Sequence, residues 1–148
     1  MNPYRYRVSL RITHPSADLD YLDAALAMKA PWRWRAGDPR ETPEGVPLKG
    51  YHQYSYWCVA LTGNDAMDTD LESLESFLAT QLDRLGAYAD VLADLTGSNG
   101  KASLFIGLFI DGDSSVSISP AVAAKAAANG IALDFDIYPP DEQNEILL

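Results

Sequence analysis

Residues 101–111 read Lys-Ala-Ser-Leu-Phe-Ile-Gly-Leu-Phe-Ile-Asp, the longest apolar run in the chain. A helix that crosses a bilayer needs about 20 apolar residues, so this run is too short to span one. Its β-branched and aromatic residues, with Asp111-Gly112 just after, favour a buried strand over a buried helix. Leu104, Ile106, Leu108 and Ile110 fall on one face by the two-residue period, and Phe105, Gly107 and Phe109 on the other. A strand that is apolar on both faces belongs inside a sheet.

Three other stretches alternate in the same way. Tyr4, Tyr6, Val8, Leu10 and Ile12 share one face of residues 4–13, with Arg5, Arg7, Ser9, Arg11 and Thr13 on the other, the pattern of a half-buried strand. In residues 53–62, Trp57, Val59 and Leu61 oppose Tyr54, Tyr56, Cys58 and Ala60. Ile131, Leu133, Phe135 and Ile137 alternate with Asp134 and Asp136 near the end. A short strand is expected at Trp32–Arg35, before the turn Gly37-Asp38-Pro39. Pro31, Pro39, Pro43 and Pro47, with Gly37, Gly45 and Gly50, exclude a long regular element from residues 29–50.

Helical patterns separate these strands. Ser16 is positioned to cap a first helix carrying Leu19, Leu22 and Leu26, with Asp18, Asp20 and Asp23 at its positive end. Thr69 and Glu72 form a capping-box pattern ahead of Leu71, Leu74, Leu78, Leu82 and Leu85. Gly86 predicts a bend in this long helix, which resumes at Leu92 and Leu95 before Gly97. Asp111-Gly112 predicts a hairpin into a short strand at Val116–Ser119. Ser119-Pro120 opens a third helix, rich in alanine, and Asn129-Gly130 closes it.

The 148 residues fit one domain, able to bury roughly two-thirds of its unfolded surface. The expectation is a single domain over residues 1–148, with an acidic tail from about residue 139. The succession reads as three strand–helix–strand units joined by hairpin-like turns. That predicts an α+β fold: one mixed sheet of about six strands, three helices on one face, and a ferredoxin-like βαββαβ core. No basic stretch followed by an apolar run opens the chain, so a soluble, cytoplasmic protein without signal peptide or membrane span is expected. The lone Cys58 excludes an internal disulfide and a multi-cysteine zinc site.

Charge is unevenly placed within the net −10. Residues 1–64 carry eight Lys/Arg and six Asp/Glu, whereas residues 65–148 carry three and fifteen. The acidic half repels phosphate backbones, which argues against nucleic acid, and attracts a basic protein surface.

The order of these elements resembles a bacterial family known as domain of unknown function 4279. Its carriers are the opening alternating strand, Trp34-Arg35-Ala36-Gly37-Asp38, Tyr56-Trp57 and Asp70-Leu71-Glu72. The ending Ile118-Ser119-Pro120…Gly130-Ile131-Ala132-Leu133-Asp134-Phe135-Asp136-Ile137-Tyr138 completes them. The third helix departs from the expected pattern in carrying alanines where leucines are usual. The resemblance implies an α+β fold and no established activity, and small acidic proteins of this kind are similar to immunity proteins, which neutralise toxins.

Catalytic and metal-binding patterns are weak. His14 and His52 sit in unrelated segments without metal-ligand spacing, and Asp111-Gly112-Asp113 lacks the rest of a calcium loop. Ser114-Ser115 has no paired base, Cys58 no sign of thiolate activation, and Gly97-Ser98-Asn99-Gly100 no following Lys-Ser/Thr. The expectation is a non-enzymatic binding domain without cofactor or metal.

Three surfaces are candidates for partner contact. The loop Pro31–Gly50 brings Trp32, Trp34, Arg35, Asp38 and Arg40, residue types that anchor interfaces and pair carboxylates. The sheet face away from the helices brings Tyr54, Tyr56, Phe105 and Phe109, a patch for a protein partner, a second copy of the chain, or its own tail. Asp68, Asp70, Glu72 and Glu75 cluster at the start of the long helix. The leading expectation is an immunity protein that occludes the basic active site of a toxin. The alternative is a ferredoxin-like regulatory domain holding a small ligand between Trp34, Arg35 and the sheet.

Overall fold

The computed structural model describes residues 3–140; the acidic tail beyond Pro140 lies outside them. In chain order the elements are β1 (Arg5–His14), α1 (Leu22–Ala25), β2 (Trp32–Trp34), β3 (Pro39–Glu41), β4 (Pro47–Tyr51) and β5 (Ser55–Ala60). There follow β6 (Met67–Asp68), α2 (Leu74–Gly86), α3 (Ala89–Gly97), β7 (Lys101–Phe109), α4 (Pro120–Ala128) and β8 (Ile131–Tyr138). The main sheet runs β2-β5-β1-β7-β8, with β6 pairing the start of β1, and β3 and β4 form a separate hairpin. All pairs are antiparallel except β7 with β8. The fold is thus α+β, on a mostly antiparallel sheet of six strands.

The residue 101–111 run is an interior strand, flanked by β1 and β8. Its two faces have different partners, as the alternation predicts. Leu104, Ile106 and Leu108 join Tyr6, Val8, Leu10 and Ile12 of β1, Trp57 of β5 and the buried residues of all four helices in one core. Phe105 and Phe109 form a second, smaller cluster with Ala66 and Tyr138 on the opposite face.

Four helices form among the described residues, not the three expected. The long helix stops at Gly86, and the chain turns through Ala87 and Tyr88 before α3. The bend expected at Gly86 is therefore a break. The start of α2 also differs from the capping-box expectation. Ser73 is the N-cap, its hydroxyl accepting from the Ser76 amide at 3.1 Å. Thr69 instead extends the pairing of β1, its amide donating to Tyr4 O and its hydroxyl accepting from Tyr4 N. Leu71 is left 81% exposed, outside the apolar stripe it was expected to begin.

The first helix is one turn long, and Ser16 does not cap it. The amides of Ser16 and Ala17 donate to His14 Nδ1 at 3.1 and 2.9 Å, which places the ring proton on Nε2, 3.0 Å from Ser98 Oγ. This imidazole ties the end of β1 to the end of α3. Gly100 follows so closely that a Cβ there would lie 2.6 Å from the Leu95 carbonyl oxygen. Leu19, Leu22 and Leu26 are nevertheless buried as their spacing predicts.

The hairpin into a strand at Val116–Ser119 is also corrected. Asp111 Oδ1 accepts from the Asp113 amide at 3.0 Å, a local turn, and residues 114–119 run on without strand pairing. Val116 and Ile118 pack against the main core. Their alternation therefore reflects burial of an irregular segment. The helix after them starts as expected: Ser119 caps α4, accepting from Val122 N, with Pro120 in its first turn.

Asp23 clamps the edge of this architecture. Its Oδ1 accepts from the indole N–H of the fully buried Trp57 at 2.8 Å and from Ala30 N at 3.2 Å. Its Oδ2 pairs with Arg33, which also reaches Asp20 at 3.3 Å. Burial alone would raise this carboxyl; the bonds from Trp57, Arg33 and Ala30 outweigh it and hold the group below its ordinary value.

Two stability measurements check this account. Leu108→Ala, at a side chain only 2% exposed, should cost roughly 2–5 kcal/mol in chemical denaturation, the sum of lost transfer energy and a cavity. Asp23→Ala should cost about 1–3 kcal/mol, because the Trp57 N–H loses its acceptor inside the core. The ionised Asp23 contributes fully above its ordinary value of 3.8, and that contribution is lost as pH falls through the lower folded value. Asp23→Asn, which keeps an acceptor but no charge, should flatten this acid limb of the stability curve.

Candidate functional site

The register of β2 on β5 sets Trp34 opposite Tyr56 and Trp32 opposite Cys58. Both tryptophans therefore lie on the sheet face away from the helices, while Arg33 turns to the other face and its aspartates. Trp34 stacks on Tyr56 with ring centroids 4.4 Å apart, and on His52 at 4.1 Å, both nearly parallel to the indole. Two parallel rings that close to one indole fit only on opposite sides, so the three form a stack with Trp34 in the middle. The indole N–H is also used, donating to Tyr54 O at 3.1 Å.

Backbone geometry between β2 and β3 delivers His52 to this stack. Asp38 Oδ2 accepts from Arg35 N at 2.9 Å, and Asp38 N donates to Arg35 O at 3.0 Å. Gly37, at φ 91°, turns the chain so that its amide donates to His52 O, while His52 N donates to Asp38 O. Ala36 N donates to the hydroxyl of the buried Ser55. The β3–β4 hairpin is thus fastened at its base to β5. Burial first, then the charge of Arg40, hold His52 below its ordinary value, so the stacked ring is neutral at pH 7.

Beyond the stack, the segment is unusually apolar for a surface. Trp32, Val46, Leu48, Tyr51 and Tyr54 account for five of the nine large hydrophobic side chains exposed among the described residues. Arg35, Arg40 and Lys49 are exposed among them, and Arg40 donates to Lys49 O across the hairpin at 3.3 Å. The sequence-predicted Trp32, Trp34, Arg35, Asp38, Arg40, Tyr54 and Tyr56 are therefore brought into one region. His52, set aside on the sequence for want of metal-ligand spacing, is its missing member. A stacking role leaves no spacing signature.

The aromatic patch expected on the open sheet face is not open. Tyr56, Phe105 and Phe109 are buried within the chain. The Arg11 guanidinium lies 3.8 Å over the Phe105 ring, and Tyr138 stacks on Phe109 at 5.5 Å. Ala66, in the loop between β5 and β6, packs beside them, and Arg7 donates to Asn64 O in that same loop. Burial also pushes the Cys58 thiol and the Tyr56 phenol above their ordinary values. Both are protonated at neutral pH, which leaves Cys58 a poor nucleophile.

The acidic cluster lies elsewhere and has internal tasks. Tyr56 pairs with Thr13 near one end of β1, and Asp68 with Arg5 at the other, a separation of roughly 27 Å along the strand. Asp68 Oδ1 accepts from Asp70 N at 2.9 Å, shaping the turn into α2. Glu72 accepts from the Ser76 hydroxyl at 3.2 Å. Glu75 accepts from the Ser119 amide, joining α2 to the start of α4. Of the four carboxylates, only Asp70 is both exposed and without such a role among the interactions described. Open clefts of ≈ 150 and ≈ 340 Å³ flank this end, sharing Pro3 and Tyr4 in their walls. Among the described residues no three His, Cys, Asp or Glu side chains converge as a metal site, and no helix is long and apolar enough to cross a membrane.

Comparison with the curated proteins and with the solved structures finds no match. A family model does match, over residues 3–140, which takes in every strand and helix described above. The chain belongs to the family described as Domain of unknown function (DUF4279).

Proposed function

We propose that this chain is a non-enzymatic protein-binding domain working in the cytoplasm, an immunity protein that neutralises a toxin by covering its basic active site. The observation that carries the reading is the His52–Trp34–Tyr56 stack. It fixes the hairpin to the sheet edge while Val46, Leu48, Tyr51 and Tyr54 remain exposed around it. Rigid aromatic side chains held in a fixed arrangement lose little entropy on binding and serve as interface anchors. The net charge of −10 favours a basic partner and speeds its approach.

A small-ligand pocket at Trp34 is the weaker reading, since both indole faces and the indole N–H already have partners within the chain. The order β2-β5-β1-β7 supports reading β1–α1–β2–β5–α2/α3–β7 as a ferredoxin-like core, with α4 and β8 appended.

The test is growth rescue. The reading frames beside this chain's own are expressed singly, and any whose product arrests growth is co-expressed with it. Rescue is expected, with loss of rescue in the Tyr51→Ala/Tyr54→Ala double variant, whose side chains are 68% and 50% exposed and add little to the fold. Trp34→Ala should also lower stability by about 1–3 kcal/mol, the sum of two stacked pairs. Rescue that is indifferent to both variants, or arrest that this chain never relieves, rejects the proposal.

A further inference from the structure

The two ends of the main sheet are built differently. At one end β2 is three residues long. At the other, β8 runs for eight residues, Ile131–Tyr138, and among the described residues pairs only with β7. Sheet edges are normally blunted by shortness, proline, charged side chains (lysine above all) or a bulge, because their outward N–H and C=O groups invite another strand. The only charges on β8 are the carboxylates of Asp134 and Asp136. Apart from its length, β8 lacks lysine and proline, and its register with β7 is unbroken from Ile131 to Tyr138. Two apolar side chains are exposed on it, Phe135 at 40% and Ile137 at 71%.

The side chains alternate in chemistry as well as in direction. Phe135 and Ile137 lie beside Ile106 and Leu108, on the helix-bearing face. Asp134 and Asp136, both exposed, lie beside Phe105 and Gly107 on the other face. A strand added at this edge would therefore meet an apolar row on one face and a carboxylate row on the other. We propose that the outer edge of β8 pairs with an extended segment of a partner protein in which apolar and basic residues alternate.

Charge and chain path select this occupant over two others. A second copy paired antiparallel about Phe135 would set Asp134 against Asp136 twice, on chains that each carry −10. The chain's own end leaves β8 through Pro139 and Pro140, and Arg5 of β1 donates to the Pro140 carbonyl. Pro140 thus lies on the β1–β7 side of β8 and not at its outer edge. The residues that follow include Asp141, Glu142 and Glu145, of the wrong sign for the carboxylate row.

The inference stands apart from growth rescue, because its test uses a synthetic strand and the β8 amides. An eight-residue peptide alternating Val and Lys is added to the isotope-labelled full chain. A Val/Glu counterpart and a fully N-methylated Val/Lys peptide, which keeps the charges but has no main-chain donor, serve as controls. The Val/Lys peptide alone should slow hydrogen exchange at alternate amides of Ile131–Tyr138. Asp134→Lys with Asp136→Lys should move preference toward the Val/Glu peptide by roughly two- to thirtyfold, the effect of reversing two cross-strand charge pairs. Equal binding of the Val/Lys and Val/Glu peptides, binding by the N-methylated one, or protection elsewhere than β8 would overturn the proposal. So would a dimer whose β8 amides are already protected, or an edge that accepts the peptide only after residues 141–148 are removed.

Discussion

The pairing of β1 along both of its sides is the constraint on which the rest of the structure depends. A strand buried at the centre of a sheet must find a partner for every N–H and C=O it carries. On one side β7 meets β1 from Arg5 to Thr13 without interruption. On the other, β5 covers Ser9–His14, β6 covers Arg5 and Tyr6, and the gap is closed by Val8. Its carbonyl accepts from both Leu61 and Thr62, and its amide reaches the Thr62 hydroxyl. Between these two stretches the chain loops out over the sheet, which is how Ala66 comes to rest on Phe105 and Phe109. One backbone requirement thus hides the aromatic face that a period-two count would leave exposed.

The same requirement separates the acidic and aromatic surfaces. Because β5 and β6 share one side of β1, whatever follows β6 lies at the opposite end of the strand from the β2–β5 edge. The carboxylates at the start of α2 stand with that far end, where three of them act within the chain. The aromatic hairpin stands alone. The carboxylate-rich surface and the exposed aromatic surface therefore belong to different parts of the molecule.

What the sequence made legible was periodicity. The alternation of Tyr6, Val8, Leu10 and Ile12, and of Leu104, Ile106 and Leu108, identified the core faces of β1 and β7, since a buried face tolerates few polar substitutions. Ser119-Pro120 marked the start of α4, because a capping hydroxyl followed by proline has few other uses. Competing local hydrogen bonds defeated the other boundaries. Thr69 looked like a cap yet serves β1, and Ser73, four residues on, takes the role. Ser16 lost its helix to His14, whose ring accepts the amides that would have begun it. Val116 and Ile118 alternate because they face the core, and burial without a partner strand has the same sequence signature as a strand. The stack leaves no sequence signature, because His52 meets Trp34 through a hairpin of two short strands, β3 and β4, in a segment where proline and glycine mask any period. By its position alone Asp23 is a carboxylate answering the helix dipole. Its role as acceptor for Trp57, thirty-four positions away, is a fact of tertiary structure alone.

The junction of β1 with β7 has a temporal consequence. Arg5 pairs with Phe109 and Thr13 with Lys101, so the central ladder joins the first residues of the chain to residues about a hundred positions later. During synthesis β1 emerges before β7, and until β7 follows, its apolar face and the backbone groups on one of its sides are unclaimed. The helices α2 and α3 can form from local contacts in the meantime, but the surface they are to cover is incomplete until β7 arrives. Closing so large a loop is entropically expensive before any contact repays it, which places this molecule among slow folders for its size. The nascent chain therefore holds the apolar face of β1 uncommitted until β7 has been made, the interval in which a chaperone has something to hold.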